Sequence, residues 1–122
     1  MDNGEGWNSV TDEDFDAKVM KSGSPVLVEL RAEWCGACHI LDPIINEVTR
    51  SFEGRAEVLW MDADISCSTV HRYGVQKLPA LLFFNRGQLA EIIQGTVPGT
   101  RIVTTLERLI GSDHPPVGRP DR

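Results

Sequence analysis

Basic runs are missing from this chain, and cations are in the minority throughout: 12 Lys and Arg stand against 18 Asp and Glu in 122 residues, a formal net charge of −6. Nucleic acid and anionic membrane surfaces both demand clustered Lys and Arg, so neither is expected as a partner. Long apolar runs are missing too. The longest, Leu78 to Phe84, is far too short to span a bilayer, and Met1 to Gly6 is acidic with no stretch of signal-peptide length. Cysteine is sparse, with three residues in all. A close pair plus one extra does not make a secreted disulfide framework, whereas cytosolic disulfides are usually transient and catalytic. A cytoplasmic protein is therefore expected. With 41% hydrophobic residues, the chain can build one domain around one core and is too short for two ordinary domains.

What the chain does contain is Trp34-Cys35-Gly36-Ala37-Cys38, entered from an apolar run, Val26-Leu27-Val28-Glu29-Leu30, and left by a helical pattern. Two thiols at a strand-to-helix turn point to dithiol chemistry. At a helix N-terminus the unpaired backbone N–H groups and the positive end of the helix dipole stabilise an anion, so Cys35 should ionise more readily than a free thiol. A thiolate attacks disulfides and a thiol does not. Cys38, about one turn on, is placed to attack the mixed disulfide that Cys35 forms and so release the reduced product.

The remaining segments alternate. Thr11, followed by Asp12, Glu13 and Asp14, reads as a helix start, with Phe15, Val19 and Met20 as its apolar face up to Lys21. Val26 to Ala32 is nearly all apolar, as expected of a central strand covered on both faces. Ile40, Leu41, Ile44, Ile45, Val48 and Phe52 recur at helical spacing through Pro43, where a kink is expected. Glu57 to Ala63 reads as a strand, and Ser66 as the cap of a short helix that ends at Gly74. Ala80 to Phe84 and Leu89 to Ile93 flank Asn85-Arg86-Gly87-Gln88, the pattern of an antiparallel hairpin. A final amphipathic helix runs from Thr100 to Ile110. The order β-α-β-α-β-α-β-β-α implies an α/β fold with a mixed four- to five-stranded sheet between helices. The expected organisation is a flexible N-terminus (1–6), a single domain (7–110) and a disordered Pro-containing tail (111–122).

From Phe15 to Ile110 the chain resembles thioredoxins. The matching pieces are the strand before the motif, Ala32-Glu33-Trp34-Cys35-Gly36-Ala37-Cys38, Pro43, Asp62 and Asp64, Tyr73-Gly74-Val75 before Leu78-Pro79, and Gly87 with Gly95. The resemblance implies the thioredoxin fold and reduction of protein disulfides through the Cys35–Cys38 couple. It further implies that Leu78-Pro79 is the cis-proline loop facing the thiols. Trp34, Gly36, Ala37, Leu78, Pro79 and Gly95 are then the substrate-binding groove. It implies no bound cofactor or metal, an electron donor of thioredoxin-reductase type and a monomer. The matching carboxyl in the family is proposed to take the proton of the second cysteine, which gives that role to Glu29. Its place in the most apolar strand agrees, because a buried carboxylate is costly unless partnered or protonated.

The departures cluster around the thiols. Thioredoxins mostly have proline at Ala37, aspartate at Glu29, an aromatic residue at Arg31 and lysine at His39, and the position of a lysine facing the buried carboxyl counts back to Trp60. Glu29 and Arg31 share one strand face, so Arg31 is expected to substitute for that lysine by partial pairing. Cys67 reads as an inert or weakly oxidisable surface thiol, and His39 and His114 as solvated. Two other readings remain open at this level. Cys35, Cys38, Cys67 and His71 have spacings compatible with zinc, and the fold could serve as a non-catalytic interaction module. Replacing the motif proline by Ala37 changes both helix strain and the setting of the thiolate. Because motif changes in the family it resembles tend to make the protein less reducing, the Cys35–Cys38 couple is expected to lie above the thioredoxin potential of about −270 mV when equilibrated with glutathione and dithiothreitol buffers. A value at or below that reference contradicts this reading of Ala37.

Overall fold

The computed structural model describes residues 8–112. The expected flexible N-terminus and the tail from 113 onward lie outside the described residues, while Gly111 and Ser112, expected to begin the tail, instead complete the last helix. The strands are β1 (Asn8–Ser9), β2 (Val26–Arg31), β3 (Glu57–Asp62), β4 (Ala80–Asn85) and β5 (Gln88–Gln94). The α-helices are α1 (Gly36–Ser51), α2 (Cys67–Arg72) and α3 (Gly99–Ser112). One five-stranded sheet has the order β1-β3-β2-β4-β5. β1 and β2 run parallel to β3, whereas β4 is antiparallel to both β2 and β5. This is the mixed sheet expected from the alternating pattern. Among the described residues no helix is long and apolar enough to cross a membrane.

β2 is buried at every position. Side chains alternate across a strand, so its two faces enter different cores. Leu27 packs with Leu41, Ile45 and Val48 of α1 and Ile102, Leu106 and Leu109 of α3. Val26, Val28 and Leu30 pack with Phe15, Val19, Met61, Leu82 and Phe84 on the other side. By the same alternation Glu29 and Arg31 fall on the face that α1 and α3 cover. α1 continues through Pro43 to Ser51 and buries Cys38, Leu41, Ile45 and Val48, the i, i+3, i+7, i+10 stripe of an amphipathic helix. On the opposite side of the sheet, Phe15, Tyr73 and Phe84 form a triangle of rings with centroids 5.6 to 6.1 Å apart.

Two expectations about local structure are corrected. The helix expected from Thr11 to Lys21 begins as foreseen, with Asp14 accepting from the Thr11 N–H at 2.6 Å and its own N–H donating to Thr11 Oγ1 at 3.3 Å. It then becomes a five-residue π-helical segment, Asp16–Met20, in which the Lys21 N–H reaches back to the Asp16 carbonyl. Ser66 does not cap α2 with its side chain. That task falls to Asp12, which accepts from the backbone N–H groups of Ser68 and Thr69 at 3.1 and 3.2 Å and from Thr69 Oγ1 at 2.7 Å. The Ser66 hydroxyl is buried without a hydrogen-bond partner.

The β4–β5 hairpin turns through Arg86 (φ 54°) and Gly87 (φ 80°), the paired positive values of a tight two-residue turn. A Cβ on Gly87 would meet the carbonyl oxygen of Met20 well inside contact distance, whereas Gly54 (φ 85°) has open space around it. Gly54→Ala should therefore cost only the backbone penalty of about 1 kcal/mol, and Gly87→Ala clearly more, about 2 to 4 kcal/mol, because backbone must move as well. Urea unfolding of both variants checks the order. Equal losses would show that the Met20 contact yields easily.

Candidate active site

The chain leaves β2 at Arg31, turns through a hydrogen bond from the Cys35 N–H to the Ala32 carbonyl (3.1 Å), and enters α1 with Cys35 as the capping residue. Cys35 Sγ accepts from the Cys38 N–H at 3.1 Å, taking the place that a serine or aspartate oxygen holds at other helix starts. Cys35 and Cys38 are joined as a disulfide, with their Cα atoms 5.3 Å apart. The two sulfurs are not equivalent. Cys35 keeps 6% exposure and Cys38 none.

The groove residues expected from the sequence fall into two groups. Ala37 and Leu78 pack directly on Ala32, Cys35 and Cys38. The Leu78–Pro79 bond is cis, and the Pro79 carbonyl accepts from the Gly95 N–H at 2.8 Å, tying the loop to the end of β5. Trp34 and Gly36 lie on the outside, with Trp34 69% exposed. Its ring is nevertheless held: Nε1 donates to both carboxylate oxygens of Asp64, at 3.1 and 3.0 Å. Asp64 is a residue that sequence reasoning used only as a family match.

Glu29 is fully buried, and neither carboxylate oxygen has a hydrogen-bond partner. It sits opposite Trp60 in the parallel ladder and Leu81 in the antiparallel one, so the counted register holds and β3 brings no cation to it. Arg31 only approaches, its Nε 4.0 Å from Glu29 Oε1. The pairing is partial, as expected, and the hydrogen bond goes elsewhere: Arg31 Nη2 donates to Asp42 Oδ2 at 2.9 Å and lies 3.4 Å from His39 Nδ1. His39 is more than a solvated side chain: its Nε2 lies 2.8 Å from the Glu33 carbonyl. Asp42 was missed. Its signal was present, four residues after Cys38 and hence on the same side of α1. Burial pushes the Glu29 carboxyl up from its ordinary 4.5 to about 8, with Arg31 pulling it down and Asp42 raising it.

Cys67 is exposed on α2. Among the described residues no group of three or more His, Cys, Asp or Glu side chains converges to hold a metal.

A mixed sheet between helices, with a Cys-x-x-Cys disulfide capping the helix after the central strand, defines a thiol–disulfide oxidoreductase. The family model for thioredoxin matches residues 6–108, and the chain belongs to the thioredoxin family. It is 35% identical to thioredoxin of Synechocystis sp. over 101 residues, covering 83% of this chain and 94% of that protein. Over 99 residues it is 35% identical to thioredoxin 1 of Nostoc sp., covering 81% and 92%. Chloroplastic thioredoxin M-type of Brassica napus is 32% identical over 110 residues, with 90% of this chain and 62% of that one covered. The protein is therefore a protein-disulfide oxidoreductase working through Cys35 and Cys38, and not a non-catalytic module.

The state of Glu29 makes stability depend on pH. Its folded value, about 8, lies above its ordinary 4.5, so the favourable contribution of the protonated form is complete below about 4.5 and is lost as pH rises toward 8. The loss is on the order of 5 kcal/mol at most. Denaturant unfolding of the oxidised protein should show stability falling between pH 5 and pH 9, as rough bounds around that window, relative to a Glu29→Gln variant. Parallel pH curves for the two proteins would show that Glu29 is already ionised in the fold.

Proposed function

We propose that Cys35 is the attacking sulfur, Cys38 the resolving one and Glu29 the acceptor of the Cys38 proton. The observation that carries this reading is the asymmetry of the pair: Cys35 caps α1 and keeps 6% exposure, whereas Cys38 keeps none. In the reduced protein the Cys35 thiolate attacks one sulfur of a substrate disulfide, forming a mixed disulfide and releasing the other substrate sulfur as a thiolate. Cys38, deprotonated by Glu29, then attacks Cys35 Sγ and releases the second substrate sulfur. Two electrons pass to the substrate and the Cys35–Cys38 disulfide is left. A carboxyl raised to about 8 is a stronger base than an ordinary glutamate, which suits proton transfer with a thiol.

Trp34, Gly36, Ala37, Leu78, Pro79 and Gly95 form the surface on which an extended substrate segment would lie. The packing of Leu78 and Ala37 against the disulfide supports that assignment. The functional unit is residues 7–110, acting as a monomer in the cytoplasm and recycled by an electron donor of thioredoxin-reductase type. Support for a reducing compartment is the close thiol pair beside a single exposed Cys67. The exchange needs no bound cofactor or metal beyond the two sulfurs.

A Cys38→Ser variant should retain substrates as mixed disulfides on Cys35, and Cys35→Ser should retain none. Non-reducing electrophoresis with mass spectrometry of the adducts reads this directly. Equal trapping by the two variants would reverse or abolish the assigned roles.

A further inference from the structure

Arg31 is the cation that the fold brings nearest to Glu29, yet the two do not close a hydrogen bond. Arg31 is 4% exposed and its Nε has no hydrogen-bond partner, 4.0 Å from a Glu29 oxygen that has none either. Guanidinium and carboxylate groups at such range ordinarily form a two-bond pair, which satisfies both. The opposing pull comes from α1. Asp42 accepts from Arg31 Nη2 at 2.9 Å, and His39 presents a second acceptor to the same nitrogen. The His39 tautomer follows from its other contact: the Glu33 carbonyl can only accept, so Nε2 carries the hydrogen and the Nδ1 of the neutral ring offers its lone pair.

Two carboxyl groups therefore compete for one guanidinium that cannot lose its charge. Asp42 keeps 30% side-chain exposure and Glu29 keeps none, so ionising Asp42 costs less desolvation. The ladder partners of Glu29, Trp60 on β3 and Leu81 on β4, are both uncharged. Asp62, opposite Arg31 on β3, accepts from the Asp64 N–H at 2.9 Å.

We propose that Asp42 is a positioning residue for disulfide exchange: it holds Arg31 toward α1 and thereby keeps Glu29 free of a hydrogen-bonded counter-ion. The proposal rests on the reading of Glu29 as proton acceptor. Asp42 touches neither the sulfurs nor the substrate in this role. It acts on the charge state of Glu29 through where it keeps the guanidinium. The direction in which burial and Asp42 both shift Glu29 agrees with this arrangement.

The test is a four-protein cycle in the oxidised full-length chain: wild type, Asp42→Ala, Arg31→Met and the double variant, each followed by an NMR titration of the Glu29 carboxyl carbon. Asp42→Ala should lower the Glu29 midpoint by about one pH unit or more, because Arg31 is released to pair with it. Arg31→Met should remove most of that fall, leaving only the direct field of Asp42. No fall, or the same fall in both backgrounds, overturns the proposal. Should Arg31→Met not fold, Arg31→Gln completes the cycle.

Single-turnover reduction of a peptide disulfide by the reduced protein with Cys38 intact, read at the resolution step, supplies the functional readout, and its pH midpoint should move down with the titration in Asp42→Ala. An unmoved profile alongside a shifted titration overturns the claimed effect on exchange. Glu29→Gln separates the two ideas. If it leaves the pH profile of resolution unchanged, the proton-acceptor reading fails, while the titration cycle still decides whether Asp42 positions Arg31. If it flattens the profile but the cycle is additive, Glu29 keeps its role and Asp42 loses its own.

Discussion

Burial of β2 on both faces is the constraint on which the rest of the molecule depends. A strand with no solvent side must have neighbours on both edges and layers above and below, and its six residues are divided between two cores by simple alternation. Its end delivers the chain directly into the turn at Cys35, so the sulfur that starts α1 is anchored to the best-packed element of the fold. The same alternation forces Glu29 and Arg31 inward beneath α1 and α3. A two-residue step in one strand thus places a carboxyl and a guanidinium under a helix whose first turn carries the disulfide.

That placement is expensive, and the way the cost is divided explains the site. A fully buried carboxylate with no hydrogen bonds loses several kcal/mol of hydration, which protonation avoids. Arg31 has no such escape, because its guanidinium stays charged at any accessible pH. It must find an anion, and the anion available with some access to water is Asp42. Elsewhere the same rule operates at the surface: Glu91 on β5 receives Arg101 and Arg108 from α3, and its carboxyl is held below its usual range by both. The surface clamp joins two elements, whereas the buried network leaves one carboxyl without a hydrogen-bonded counter-ion by satisfying the cation somewhere else.

Much of this architecture was legible in the residues. The apolar run of β2, the spacing of Ile40 to Phe52 and the polar turn at Asn85 to Gln88 each correspond to an element whose pattern is local, and the thiol pair was evident from its place between strand and helix. What escaped reading depended on contacts between distant segments. Phe15 and Val19 are four apart in either an α- or a π-helical turn, so periodicity could not separate the two. Ser66 looked like a cap because it precedes a helix, but the acceptor that fills the position comes from Asp12, 56 residues away from Ser68. The stronger partner of Arg31 escaped for a related reason: strand geometry brings Arg31 beside Glu29, and only the docking of α1 decides that Asp42 lies closer.

The Asp12 cap has a kinetic consequence. α2 has six residues, below the length at which a helix holds itself together in water, and Asp12 takes up two N–H groups of its first turn. A helix so dependent on a remote side chain has no independent life: when the strand-side segment around Asp12 peels from the sheet, α2 loses its first turn with it. The two pieces are therefore expected to open as one unit. The chain that leaves α2 runs through Tyr73 and Gly74 to Leu78 and Pro79, so the loop packed against the disulfide hangs from a joint set at the opposite end of the sequence.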